Sequence, residues 1–207
     1  SSAASDVYKG QSINEVVIHG IPSSKQILKD GDIISIDIGA NYKGYHGDCA
    51  RTWPCGNVKS DRLKLIEVTE QSFFEGLKYA HPGNRLSDIS HAIEMYAKKF
   101  NYGVVRDFTG HGVGSKLHED PAVPNYGKEG MGPVLRKGMT LAIEPMINMG
   151  TYKVKILADG WTTITSDHSP SAHYENSIVI TDNGYEILTK ITVSYTHLRA
   201  HETDQYL

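Results

Sequence analysis

Four acidic residues recur in a pattern that points to metal chemistry. Lys29-Asp30-Gly31-Asp32-Ile33-Ile34-Ser35-Ile36-Asp37 and Arg136-Lys137-Gly138-Met139-Thr140-Leu141-Ala142-Ile143-Glu144 each place an Ile-acid pair at the same distance beyond a glycine. Each is followed by a His-x-acid triplet, His46-Gly47-Asp48 in the first half and His173-Tyr174-Glu175 in the second. A duplicated unit that delivers carboxylates from matching strand positions brings them face to face, and converging carboxylates repel unless a cation lies between them. A pair of divalent metal ions is the simplest such cation.

His111, in Gly110-His111-Gly112-Val113-Gly114, is the best fifth ligand, because flanking glycines let the backbone carry an imidazole close to a crowded site. One imidazole and four carboxylates suit Mn, Fe or Co, with Zn as a further candidate; two cysteines exclude an all-thiolate zinc site. A mononuclear iron oxygenase wants two histidines and one acid, so this set disfavours it. His19 and His118 sit among apolar neighbours and glycine or proline, where a lone histidine is ordinarily a core or turn residue; beside a dinuclear centre each becomes a polariser of a substrate carbonyl or amide. The glycines at 110, 112 and 114 do not lead into a helix, which argues against a phosphate-binding loop. His197, His201 and Glu202 have ligand-like spacing but no surrounding apolar pattern to fix them.

The elements that must position these groups follow from periodicity. Residues 1–12 read as a loop and 13–18 as a short strand. Residues 32–40 alternate, with Ile34, Ile36 and Ile38 on one face and Ile33, Ser35 and Asp37 on the other. A turn at Asn41-Tyr42-Lys43-Gly44 returns the chain over 45–53, bringing Asp48 beside Asp37. Helical spacing covers 60–80, and a second helix, capped near Ser87, ends by Gly103. Strands are predicted over 139–146, 162–165, 174–181 and 185–188. The pattern decays beyond Ile191, and 192–207 reads as a tail outside a single domain of residues 1–191.

The chain has 207 residues, enough for one sizeable core, and 39% apolar content with a net charge of -3 argues against disorder or a basic nucleic-acid surface. Cys49 and Cys55 resemble no disulfide framework, so a cytoplasmic setting is the expectation. No apolar run approaches the roughly 18 residues of a membrane span.

Ser12-Ile13-Asn14-Glu15-Val16-Val17-Ile18-His19-Gly20-Ile21-Pro22, Asp32-Ile33-x3-Asp37, Gly44-Tyr45-His46-Gly47-Asp48, Gly110-His111-Gly112-Val113-Gly114 with His118-Glu119-Asp120-Pro121, Ile143-Glu144-Pro145-Met146, Asp159-Gly160-Trp161 and Tyr174-Glu175-x2-Ile178-Val179 together resemble the bacterial type I methionine aminopeptidases, from about Tyr8 to Thr189. The resemblance implies an α+β pita-bread fold, two pseudo-symmetric halves whose antiparallel β-sheet is covered by helices. It implies two divalent ions, Co, Mn, Fe or Zn: Asp37 chelates one, His111 and Glu144 hold mainly the other, and Asp48 and Glu175 bridge both. Glu144, His118 and His19 would be catalytic, His19 and His118 would touch substrate, and Trp161 would wall the methionine pocket. A monovalent cation would sit at Asn14, Val16 and Ser171. The implied reaction removes an N-terminal methionine from nascent chains whose second residue is small. A monomer is expected, with the ribosome as a further candidate partner. The alternatives are a proline-directed aminopeptidase or dipeptidase of the same fold, and a non-catalytic pita-bread binding module. The sequence departs from the family pattern at Ile18, where a cysteine is common, and at Leu117, where an aromatic is common. It also starts after the family's N-terminal segment, which lines the methionine pocket.

Overall fold

The computed structural model describes residues 6–190; the predicted tail, with His197, His201 and Glu202, and residues 1–5 lie outside them. Four strands, β1 (Asp6–Ile13), β2 (Val16–Ile18), β3 (Ile33–Tyr42) and β4 (Tyr45–Pro54), precede helices α1 (Ser60–Leu77) and α2 (Leu86–Lys98). Short strands follow: β5 (Gly103–Val104), β6 (Gly110–Gly112), β7 (Glu119–Val123), β8 (Thr140–Ile143), β9 (Met146–Asn148), β10 (Val154–Ile156), β11 (Thr163–Thr165) and β12 (Ser171–His173). The described chain ends with β13 (Glu175–Ile180) and β14 (Tyr185–Ile187).

The main sheet has the order β1-β3-β4-β13-β8-β6-β7, with β14 also on β13. All its pairings are antiparallel. The sequence repeat is visible as an approximate two-fold between β4 and β13: these strands carry Asp48 and Glu175, the next ones outward are β3 and β8, and β1 and β6 lie beyond. Two three-stranded sheets, β12-β9-β5 and β10-β11-β2, complete the α+β pita-bread arrangement.

Register decides which face is which, because successive strand residues point to opposite sides. Leu141, Ile143, Ile178 and Ile180 pack with Phe73 and Leu77 of α1 and Ile89 and Ile93 of α2 in one core. The opposite face carries the acids. At its margin Ile33 joins Leu65, Ala97, Val104, Ile147 and Ala172 in a second core, and Val17, Ile18, Val105 and Met146 form a third.

Several expectations need correction. Residues 6–13 are a strand rather than a loop, because β1 pairs with β3 along its whole length despite its polar composition. The predicted strand over 13–18 breaks at Asn14, where φ is 52°, and Asn14 closes the turn with its side chain by accepting from the Ile33 amide. The predicted alternation over 32–40 holds, with Ile33, Ile34 and Ser35 buried and Ile36 and Ile38 half-buried. Helix α2 is capped by Arg85 and Asp88, whose carboxylate accepts from the Arg85 amide; Ser87 lies inside the helix and accepts from the Met131 amide. The strand predicted over 139–146 is two strands, broken at Glu144-Pro145 because proline removes a ladder donor.

Candidate metal centre

The first two acids owe their meeting to one row of the main sheet. Asp37 on β3 lies opposite Ala50 on β4, and Ala50 lies opposite Glu175 on β13. Residues directly opposite one another share a face, so Asp37 and Glu175 flank a side chain no larger than a methyl group. One row along, Asp48 lies opposite Gly39, and the space beside that glycine is bounded by Asp48 Oδ1 and Leu117. Asp48 is anchored from the second half by Ser177, whose Oγ accepts from its amide at 2.8 Å and donates to its carbonyl at 3.1 Å.

The other half works differently. His111 on β6 lies opposite Ala142 on β8, so Glu144, two residues past Ala142 and just beyond the strand end, reaches the same face diagonally. Gly110 and Gly112 are required there: a Cβ at either would lie 2.3 Å from a main-chain oxygen, of Ala142 or of Asp120. Asp37 is thus mid-strand and Glu144 is not, so the two copies of the repeat present their acids from unequal positions.

All five expected ligands border one cavity of about 270 Å³. Donor atoms of Asp48, His111 and Glu175 lie within 4.8 Å of one another. The Glu144 carboxylate sits between two imidazoles, with Oε1 3.7 Å from His111 Nε2 and Oε2 3.6 Å from His173 Nε2. His111 Nε2 is also 3.8 Å from Asp48 Oδ2.

Electrostatics show what this set lacks. Burial, more than any neighbour, pushes Asp37 up to about 6, with Asp48 and Glu144 adding to it and His173 opposing it. Burial pushes Glu144 up to about 8, opposed by His111 and reinforced by Asp48. Glu175 is held well above the carboxylate range by burial and then by the three other acids. Burial lowers His173, keeping its imidazole neutral. No lysine or arginine borders the cavity. Asp37 Oδ1, Asp48 Oδ1 and His173 Nε2 are buried without a hydrogen-bond partner, a costly condition for polar atoms. An oxygen-rich set with imidazole nitrogen, short of positive charge and with unpaired donors facing inward, fits divalent metal ions.

The substrate-side candidates border the same cavity. His19 has φ of 61°, a strained value outside glycine, and the chain passes so tightly over β1 that a Cβ at Gly20 would lie 1.9 Å from the Gln11 carbonyl. This turn stacks His19 on Trp161, with centroids 4.1 Å apart and planes 13° from parallel. His118 is exposed and meets His111 edge to face at 4.4 Å. Ile18 and Leu117 add apolar wall. Asn14 and Ser171 are brought together, the Asn14 carbonyl accepting from the Ser171 amide at 2.9 Å, while Val16 lies two residues on, paired with Ile164. The Asn14 side chain is fully engaged by Asp32, Ile33 and Arg62.

Two cavity residues escaped the sequence reading. Tyr8 lies opposite Gly39, on the strand mistaken for a loop. His173 was visible in the His-x-acid triplet but had no assigned role; its counterpart in the repeat, His46, turns to the Gly114 carbonyl instead.

A larger cleft, about 840 Å³, lies on the other face and contains none of the candidate ligands. There Arg51 stacks over Tyr174 at 3.9 Å and donates to the Glu175 carbonyl and to Asn176 Oδ1, tying β4 to β13 from behind. Among the described residues, no helix is long and apolar enough to cross a membrane.

The chain matches the family model of metallopeptidase family M24 over residues 6–182. It is 58% identical over 178 residues to a methionine aminopeptidase of Clostridium acetobutylicum, covering 86% of this chain and 71% of that protein. It is 56% identical over 180 residues to methionine aminopeptidase 1 of Bacillus subtilis, covering 87% and 72%. The solved structure of a methionine aminopeptidase from Thermotoga maritima matches with a TM-score of 0.87 at 48% identity, over 88% of this chain and 74% of that one.

Proposed function

The chain belongs to metallopeptidase family M24, and we infer from that membership that it is a metal-dependent aminopeptidase removing the N-terminal methionine of polypeptides whose second residue is small. The observation that carries this reading to the residues is the buried acid and imidazole cluster, with donors converging inside 4.8 Å and no cationic side chain to neutralise them.

Asp37, Asp48, His111, Glu144 and Glu175 would hold two divalent ions, drawn from Mn, Fe, Co or Zn. Such ions, when bound, lower the pKa of water and polarise the scissile carbonyl. Glu144 takes a proton from the attacking water and delivers it to the leaving nitrogen, a task suited to a largely buried carboxylate bordering the cavity. His118 donates to the carbonyl oxygen as it gains charge, and His19, braced by Trp161, holds the scissile amide. Trp161, Ile18 and Leu117 line the space for an apolar first side chain. A monovalent cation beside Asn14, Val16 and Ser171 would have to use main-chain oxygens, since the Asn14 side chain is engaged. On this reading the substrate is the amino terminus of a new chain, met at the ribosome by a cytoplasmic monomer.

The test compares peptides. Met-Ala-Ser should be cleaved after its first residue and an Xaa-Pro peptide should not, and Glu144→Ala should abolish turnover. Retained turnover in that variant removes Glu144 from the mechanism. Preference for the Xaa-Pro peptide would favour the proline-directed alternative, and metal binding without cleavage of either would favour a binding module.

A further inference from the structure

We propose that His173 is a sixth protein ligand of the metal centre, binding through Nε2 the same ion that Glu144 meets through Oε2. This rests on the metal reading above and adds a second imidazole to it. The side chain is 2% exposed, and Nε2 faces the cavity with no hydrogen-bond partner. Its 3.6 Å separation from Glu144 Oε2 is too long for a hydrogen bond. It matches the 3.7 Å between His111 Nε2 and Glu144 Oε1, the pair expected to share an ion. Two donors bound at about 2.0–2.2 Å to one ion stand roughly 3–3.5 Å apart, so both separations close with small movements.

The backbone argues the same way. Thr52 Oγ1 accepts from the His173 amide at 2.8 Å and donates to its carbonyl at 2.9 Å, fixing the residue from which the imidazole projects. Tyr174 separates β12 from β13 and packs into the helix-side core, so His173 and Glu175, on either side of it, both turn to the cavity. The sequence repeat does not account for this placement, since the His46 imidazole, in the matching position, meets Asn41 at 3.0 Å and the Gly114 carbonyl at 3.3 Å. A second imidazole shifts the preference of an otherwise carboxylate centre away from Mn and towards Fe, Co or Zn.

Cobalt(II) added to the full chain gives a readout independent of activity, since pulsed electron paramagnetic resonance counts coordinated imidazoles. Two are expected in the unmodified chain. His173→Gln, which keeps a polar side chain of similar reach, should leave one and weaken binding of one cobalt ion at least about 10-fold, the lower end of what even an outer-sphere partner contributes. A single coordinated imidazole in the unmodified chain overturns the proposal and leaves the metal reading standing, whether or not the variant folds. Failure to bind cobalt at all overturns both.

Discussion

Thr52 and His173, 121 residues apart, hold each other through one hydroxyl, which bonds both the amide and the carbonyl of His173. Ser35 completes the link by bonding the same hydroxyl at 2.8 Å. A buried side chain of the first half therefore sets the backbone from which the second half presents its imidazole and, two residues on, the central carboxylate Glu175.

Thr52→Val keeps the shape and removes the hydroxyl. Loss of buried hydrogen bonds predicts a stability decrease of about 1–3 kcal/mol in chemical denaturation after chelation. Metal affinity should fall as well, and Thr52→Ser should restore both; unchanged metal affinity would limit the hydroxyl's role to stability.

The raised carboxyls predict a pH dependence with a definite sign. Glu144 at about 8 and Asp37 at about 6 bind protons more tightly folded than unfolded, where ordinary values near 4.5 and 3.8 apply. Their contribution is fully favourable below the unfolded values and is lost as pH rises through the folded ones. The chelated protein should therefore lose melting temperature between about pH 4 and 8 on their account. Metal should reverse the loss by displacing protons. Calorimetric titration at neutral pH in two buffers of different ionisation enthalpy should show proton release; heats that do not depend on buffer would contradict the assignment.

The stack of Trp161 on His19 predicts how substrate binding responds to its loss. Trp161→Ala removes an aromatic contact generally worth about 0.5–1.5 kcal/mol, so KM for a Met-Ala-Ser peptide should rise roughly 2- to 10-fold. A larger fall in kcat than rise in KM would instead indicate that the stack orients His19 for the chemical step.

Gly112→Ala tests the crowding that brings His111 inward. A Cβ 2.3 Å from the Asp120 carbonyl forces β6 away from β7. The variant should lose about 1–3 kcal/mol of stability, as overpacking commonly costs, and should bind metal more weakly. Near-normal melting and metal binding would mean the strand pair accommodates the methyl group by sliding.

Much of this molecule was legible in the sequence because its signals are local. The Asp37 hairpin follows from period-two alternation and a turn at Asn41-Tyr42-Lys43-Gly44, and the glycines around His111 announced a close approach whose atoms the structure supplies. The misread segments depend on distant partners. β1 is polar, and only its pairing with β3 makes it a strand. Burial along β3 is also set by distant segments: Ser35, on the Asp37 face, is buried against Thr52 of β4, which in turn bonds His173.

The sequence by itself determined that four acids recur in a duplicated pattern, with a glycine-flanked histidine between the copies, because residue type and spacing are properties of the chain. Tertiary structure alone decided that Ala50 spaces Asp37 from Glu175, that Glu144 lies between two imidazoles, and that His173 points inward while His46 does not. Each depends on strand register between segments distant in sequence, as far apart as the 125 residues between Ala50 and Glu175, and a one-residue slip would send the same side chains to the opposite face.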